Sequence, residues 1–324
     1  MKPYKLAFLV NPVSGGGQGR ILMSYIPEIM NSVGLTSSEW TVESTEISSF
    51  DEQIDRLIEK SEKLIAVGGD GTMSSILRRA VHFKDRQEAL LGLIPLGTGN
   101  DLARMMNIYQ NFKEKGLVST VKKLIQAPSR AFDVWIVNDS YTLSAYLSVG
   151  LDAKIAHHFD EDRKQGKIRF KSAFYNRIYY MRLFWRFRNW RIKNGAKVEF
   201  SDLAQKKHSF DLSLRRSLII GNINSYAGGS NPFGNNDFSD GLLEIVPIRS
   251  FWKWAAAILT NTSRPFAWFF SHYISPSSKA QEIFVNVPEG EFVQIDGEDL
   301  SAELAGKTLH IRHFGQVKLL VFQE

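Results

Sequence analysis

The 324-residue chain contains no cysteine, which excludes disulfides, thiolate zinc sites and cysteine nucleophiles and suits a reducing compartment. It has no long apolar run: 254–259 is the nearest candidate, far short of the roughly 20 residues needed to cross a bilayer. The early apolar stretch Leu6 to Val10 gives way at once to Asn11-Pro12 and glycines, so it reads as a core strand and not as a secretion signal. Standard nucleotide fingerprints are missing. Gly15 and Gly17 have no third Rossmann glycine, and no glycine-rich loop ends in Gly-Lys-Ser/Thr. Zinc spacing is missing too: His157-His158 are expected to point apart, and His310 and His313 stand at an odd interval in a strand-like segment. Finally, Arg163 to Val198 contains no acid but twelve Lys or Arg. Removing these from the net charge of +6 leaves the rest of the chain at −6. So local an excess points to an anionic partner, nucleic acid or a membrane surface, or else to a solvated helix face.

What the chain does have is ordinary for a soluble protein: 44% hydrophobic and 23% charged residues, with enough length for two domains. Lys5–Val10, Leu64–Val67 and Leu91–Ile94 are short apolar runs. Each is followed by a glycine- or proline-containing turn and a helical pattern, an alternating α/β layout. After the second run, Met73, Ile76, Leu77, Ala80 and Val81 recur at helical spacing behind Thr72, a helix-start residue. From Pro128–Asp133 onward short alternating segments dominate, and the second half is expected to be mainly β. The expected domains are 1–130, with a last strand at about 315–324 returning to it, and 131–314.

Chemistry concentrates in four segments at loop-forming positions. Gly68-Gly69-Asp70-Gly71-Thr72 joins a strand to a helix, where glycines let backbone amides approach a phosphate and the helix N-terminus adds partial positive charge. A plain tight turn is the alternative for that pentapeptide alone. Asn11-Pro12-Val13-Ser14-Gly15-Gly16 follows the first strand, Pro95-Leu96-Gly97-Thr98-Gly99-Asn100-Asp101 the third, and Asp296-Gly297-Glu298 lies near the C-terminus. In an open parallel sheet, loops at the carboxyl ends of strands share one edge, so the first three are expected to converge on one ligand. Arg104, four positions after Asn100, is a candidate phosphate contact or a surface helical arginine, and Lys154 and Arg163 carry the same two readings.

On these segments the sequence resembles the diacylglycerol kinase catalytic family, which includes sphingosine, ceramide and bacterial lipid kinases, over nearly its whole length. The resemblance implies an N-terminal Rossmann-like three-layer α/β domain, a mainly β sandwich domain and an active site in the interdomain cleft. It implies ATP binding by Asn11, Pro12, Ser14, Gly15, Gly68, Gly69, Gly71, Thr72, Gly97, Thr98, Gly99, Asn100 and Asp101, with Thr45 as a further nucleotide contact. Glu298 corresponds to the proposed general base, with Asp70 and Asp296 helping to hold Mg2+ and ATP. Ser148 to Ala153 is similar to the family's Gly-x-Asp-Ala segment, and Asn231 through Leu243 to its glycine-rich loop, making Asp237 and Asp240 candidate ligands of a structural Mg2+. An Asp-Gly pair before a strand is otherwise a turn.

The basic segment 163–198 interleaves its cations with aromatics such as Tyr179, Tyr180, Phe184, Trp185 and Trp190, the composition of an interfacial surface. Nucleic acid is ranked below lipid, since no recognised nucleic-acid fold signature accompanies it. Phe251-Trp252-Lys253-Trp254 and Phe266 to Phe270 are candidates for lining an acyl-chain cleft or for core packing. The expectation is an ATP-dependent kinase of a lipid, first of all diacylglycerol, cytoplasmic and peripheral to the membrane, with homo-oligomerisation left open. The alternatives are an NAD kinase-like enzyme, which shares Gly-Gly-Asp-Gly-Thr, and an inactive membrane-recruitment protein of the same fold.

Overall fold

The computed structural model describes residues 2–83, 89–167, 173–234, 236–250 and 278–323, without the side chains of 173–177. The aromatic segments 251–254, 254–259 and 266–270, Phe170, and the side chains of Phe174 and Tyr175 lie outside the described residues. The chain divides into two units, Met1–Val134 with Phe314–Glu324, and Trp135–His313.

The first unit alternates strands and helices: β1 (Tyr4–Val10), α1 (Ser14–Ser32), β2 (Trp40–Ser44), α2 (Phe50–Lys60), β3 (Ser61–Gly68), α3 (Asp70–Ala80), β4 (Leu90–Pro95), α4 (Asp101–Met105), α5 (Ile108–Gln126) and the start of β5 (Ser129–Val137). The strand order is β2-β1-β3-β4, all parallel. Parallel neighbours need crossovers, which the helices provide. The sequence reads as continuous apolar runs because both faces of such a sheet are covered: Ala7 to Val10 and Leu64 to Val67 are fully buried. In α3 the buried residues Met73, Ile76, Leu77 and Ala80 fall at i, i+3, i+4 and i+7, the stripe that the periodicity predicted. Because the chain passes from β1 outward to β2 and then back across β1 to β3, the order reverses between β1 and β3, which makes that gap the topological switch point.

The second unit holds β6 (Tyr141–Leu143), β7 (Tyr146–Gly150), α6 (Leu151–Lys164), α7 (Ala173–Phe187), β8 (Lys197–Ser201), β9 (Lys207–Asp211), β10 (Ser217–Gly221), β11 (Leu243–Ile248), β12 (Ser278–Ala280), β13 (Glu282–Asn286), β14 (Val293–Ile295), β15 (Glu298–Asp299), α8 (Ser301–Leu304) and the first part of β16 (Thr308–Leu320). One antiparallel sheet runs β12-β11-β10-β7-β14-β15. Within this unit β16, β13, β8 and β9 form a second antiparallel layer. Leu147, Val149, Leu218, Ile220, Ile245 and Val293 of the first sheet share one core with Val198, Phe200, Ile283, Val285, Leu309 and Ile311 of the second, a sandwich. The unit boundary falls inside β5 and β16. Beyond it, β16 lies parallel to β4 through Leu319 and Leu91.

Candidate functional site

In the first unit, the loops after β1, β3 and β4 meet at the carboxyl edge of the sheet. Gly69 and Gly97 pack backbone to backbone, so closely that a Cβ on Gly97 would stand 2.9 Å from the Gly69 Cα. Leu96 N–H donates to the Gly68 carbonyl at 2.7 Å, fastening the β4 loop to the β3 loop. Across the switch point, Asn11 Nδ2 reaches Thr72 Oγ1 at 3.4 Å, while Asn11 Oδ1 accepts from Val13 N–H at 3.2 Å. Gly15, Gly16 and Gly17 all take positive φ, so the chain enters α1 through a left-handed glycine loop instead of a regular first turn. Thr45 N–H donates to the Val10 carbonyl at 2.8 Å, which sets Thr45 beside the end of β1. Gly15, Gly16, Gly71 and Thr98 are exposed at the tips of these loops.

Two residues expected near phosphate have structural duties here. Asp70, the first residue of α3, accepts the N–H groups of Asp101 and Leu102, both at 3.3 Å, and so caps the N-terminus of α4 from a neighbouring loop. Asn100 takes a left-handed conformation (φ 53°) and is buried. Its side chain accepts from Gly97 N–H at 2.8 Å and donates to the Gly97 carbonyl at 2.7 Å, closing the Gly97–Asn100 loop on itself. Arg104 donates from Nε to the Gly99 carbonyl at 3.2 Å, with its guanidinium 3.7 Å from the Tyr109 ring centre.

In the second unit, the Asp296-Gly297-Glu298 turn links β14 to β15. Asp296 takes φ 51°, and its carboxylate accepts four bonds: Ser144 N–H (2.8 Å), Ser144 Oγ (2.5 Å), Ala145 N–H (2.7 Å) and Tyr146 N–H (3.0 Å). Burial pushes the Asp296 carboxyl upward while these four donors favour its charged form. Gly297 N–H donates to Gln294 Oε1 at 2.7 Å, and Gln294 Nε2 donates to Ser148 Oγ at 3.0 Å. Ser148 Oγ also donates to the buried Asp152 at 2.6 Å. With its two predecessors tied down, Glu298 stands exposed at the end of the turn. Its carboxyl is raised above the ordinary glutamate value, first by the protein atoms packed about it and then by the negative charges of Asp296 and Asp160. Ser144, Gln294 and Asn222, whose side chain donates to the Ser144 carbonyl at 2.9 Å, carried no motif signal. Their hydrogen bonds to Asp296, Ser144 and Ser148 join residues 78 to 152 apart in sequence.

Other candidates are placed as follows. Lys154 Nζ lies 3.9 Å from the Trp190 ring, 4.1 Å from Phe292 and 4.8 Å from Phe187, a cage of three aromatic faces. Burial, with Lys193 and Arg186 nearby, holds its ammonium below the ordinary lysine value. Arg163 pairs with Asp160 at 2.9 Å on the helix surface. Asp240 Oδ1 accepts Leu242 N–H at 3.0 Å and its Oδ2 pairs with Lys279 Nζ at 3.0 Å, while the same ammonium lies 2.9 Å from the buried Glu244. Asp237 Oδ1 accepts the N–H and Oγ of Ser239, at 3.1 and 2.7 Å. The Asp237–Asp240 loop therefore has the Lys279 ammonium as its cation, and this donor set does not fit a divalent ion at Asp240. His157 and His158 do not point apart: their rings meet edge to face with centres 5.1 Å apart. Consecutive helical residues are turned by only about 100°, and both imidazoles lean toward Glu161.

These features define a class: an α/β unit whose glycine loops meet at a topological switch point, the geometry that holds phosphorylated ligands, combined with a β-sandwich unit carrying a raised, exposed carboxylate. The diacylglycerol kinase catalytic domain matches residues 5–137, and the diacylglycerol kinase accessory domain matches residues 142–299. The chain belongs to the diacylglycerol kinase family, and the NAD kinase alternative is set aside. It is 25% identical over 275 residues to the eye-specific diacylglycerol kinase of Drosophila melanogaster, covering 75% of this chain and 18% of that protein. It is also 25% identical over 295 residues to diacylglycerol kinase iota of Homo sapiens (76% and 25%), and 25% identical over 293 residues to diacylglycerol kinase 1 of Arabidopsis thaliana (80% and 37%). The chain thus spans between about a fifth and somewhat over a third of the length of these relatives. A crystal structure of a diacylglycerol kinase from Bacillus anthracis shares the fold, with TM-score 0.67 and 19% identity over 99% of this chain and 98% of that one.

Proposed function

We propose that the protein is an ATP-dependent lipid kinase that transfers the γ-phosphoryl group to a lipid hydroxyl, with diacylglycerol as first substrate and phosphatidic acid as product. The observation that carries this reading is Glu298: a solvent-facing carboxylate of raised basicity, on a turn held by the half-buried Asp296 and the buried Gln294. A general base needs that combination of access, fixed position and elevated pKa. Glu298 takes the proton of the lipid hydroxyl, the freed oxygen attacks the γ-phosphorus, and the bond to the β-phosphate oxygen breaks to release ADP.

ATP supplies the transferred phosphoryl group. The exposed amides of Gly15, Gly16, Gly71 and Thr98 would bind its phosphates, as backbone N–H groups do at helix N-termini. Asp70, at the meeting point of the loops, offers hard carboxylate oxygen of the kind magnesium prefers. Phosphoryl transfer asks a protein mainly for such positioning and charge neutralisation.

The route to a lipid lies on α7. Leu183 and Phe184 are buried, at 2% and 9% exposure, whereas Ile178, Met181 and Trp185 are 48%, 55% and 49% exposed. At about 100° per residue those three and Arg182 fall on one helix face, with Arg186 and Arg188 exposed beside it. An outward face of Ile, Met, Trp and Arg suits shallow insertion into an anionic membrane. Among the described residues no helix is long and apolar enough to cross a membrane, and the contact proposed for α7 is a peripheral one. A panel of lipid hydroxyls in mixed micelles with labelled ATP tests the activity. Absence of transfer to every lipid by folded protein, with vesicle binding intact, would instead support recruitment without catalysis.

A further inference from the structure

A cluster on α6 has no part in the chemistry above. His157, His158 and Glu161 place one ligand atom each within 4.8 Å of one another. Glu161 is the i+4 neighbour of His157 and the i+3 neighbour of His158, so the helix brings one carboxylate to both rings. Glu161 Oε2 lies 3.5 Å from His157 Nε2 and 3.3 Å from His158 Nδ1. Donors around a tetrahedral ion with bonds of about 2.0–2.1 Å are separated by about 3.3 Å. Two of the three separations therefore already match.

The surroundings fix the rings. His157 Nδ1 is hydrogen-bonded to Asp299 Oδ2 at 2.6 Å, which turns Nε2 toward Glu161. A carboxylate behind a histidine ligand is the usual outer support of a metal site. Hydrogen bonds from Ser301 to Asp299, at 2.6 Å from Oγ and 3.2 Å from N–H, hold that carboxylate in turn. The His157 ring packs 5.1 Å from Phe292, and the His158 ring stacks on Phe187 at 4.6 Å with 17° between planes. The isolated histidine–carboxylate pairs His208–Asp202 and His310–Glu282 have one imidazole each.

We propose that His157 Nε2, His158 Nδ1 and Glu161 Oε2 form a binding site for a zinc-type transition-metal ion, with Asp299 as the outer support of His157 and the fourth position open to water. Two imidazoles and one carboxylate are a zinc donor set with an open position. Asp299 immediately follows Glu298, so an occupied site would sit beside the turn that bears the proposed base.

Cobalt(II), a spectroscopic substitute for zinc, and zinc itself are titrated into the full chain, with visible absorption and calorimetry as readouts. One ion per chain, with the absorption of a four-coordinate cobalt site, is expected. His158→Ala should abolish it, Glu161→Gln should weaken it strongly, and Asp299→Asn should weaken it about 10–100-fold. The control His208→Ala/His310→Ala should leave it intact. No binding to the wild type, or equal binding by folded His158→Ala and Glu161→Gln proteins, overturns the site, as does loss of binding in the control. If His158→Ala does not fold, Glu161→Gln decides alone. Binding does not depend on the kinase reading, so failure of one leaves the other standing.

Discussion

Asp296 accepts two bonds from Ser144, at 2.8 Å from the backbone N–H and 2.5 Å from the hydroxyl, across 152 residues of sequence. Together with the Ala145 and Tyr146 N–H groups this clamp locks the base of the Glu298 turn. Asp296→Asn replaces one acceptor oxygen with a donor amide facing donors and strands buried N–H groups, at a cost on the order of 3 kcal/mol. Ser144→Ala leaves the backbone bonds and should cost about 1 kcal/mol. Urea unfolding checks both. Equal midpoints for Asp296→Asn and wild type would mean the clamp is unimportant.

Glu298→Gln should lower kcat for lipid phosphorylation about 10²–10⁴-fold with an unchanged circular dichroism spectrum. The pH profile gives a sharper test. As a base Glu298 must be unprotonated, so kcat/KM should rise with pH through its folded-state pKa, which lies above the usual glutamate value because of packing and the charges of Asp296 and Asp160. Asp160→Asn removes one of those negative charges, lowers that pKa and should move the acid limb to lower pH. An unmoved limb would mean another group controls it.

Asp70→Ala removes the side chain that caps α4 from outside, which should cost about 1 kcal/mol, and it removes the acidic group proposed for the triphosphate edge. Turnover should therefore fall far more than stability. Gly97→Ala should damage the same edge differently, since its Cβ would press on the Gly69 backbone. A measured KM for ATP unchanged in Gly97→Ala would contradict the proposed phosphate loops.

Lys279→Met should destabilise the second unit by about 2 kcal/mol, because it leaves Glu244 buried without its cation. Adding Mg2+ to the metal-free wild type, without nucleotide, should leave the melting temperature unchanged. A magnesium-dependent rise that Asp240→Asn removes and Asp70→Ala keeps would restore a divalent ion to the Asp237–Asp240 loop.

Neutralising Arg182, Arg186 or Arg188 should each weaken binding to anionic vesicles about fivefold, from about 1 kcal/mol per charge near the surface. Trp185→Ala should weaken it on neutral vesicles as well. Co-sedimentation reads both, and binding unchanged in all four variants would remove α7 from the membrane contact.

Local patterns made much of this protein legible. The apolar runs at Lys5–Val10 and Leu64–Val67 foretold parallel strands because such strands are covered on both faces. The spacing of Met73, Ile76, Leu77 and Ala80 foretold α3, and the glycine segments marked the loops at one sheet edge. Less legible were the partners that hold those segments. Asp70 reads as a triphosphate-edge carboxylate in sequence, and only the fold shows that it also caps α4. Asp240 reads as a metal ligand but pairs with Lys279, and His157-His158 read as divergent but share Glu161.

The sequence by itself determined the alternation of elements, the family and the positions of the glycine loops, because backbone periodicity and glycine geometry are properties of neighbouring residues. Only the tertiary structure decided which polar groups satisfy one another: Ser144 with Asp296, Gln294 with Gly297, Lys279 with Glu244, Asp299 with His157. A buried or crowded polar atom must find a partner wherever the chain brings one. That partner is set by long-range strand pairing, which no local pattern encodes.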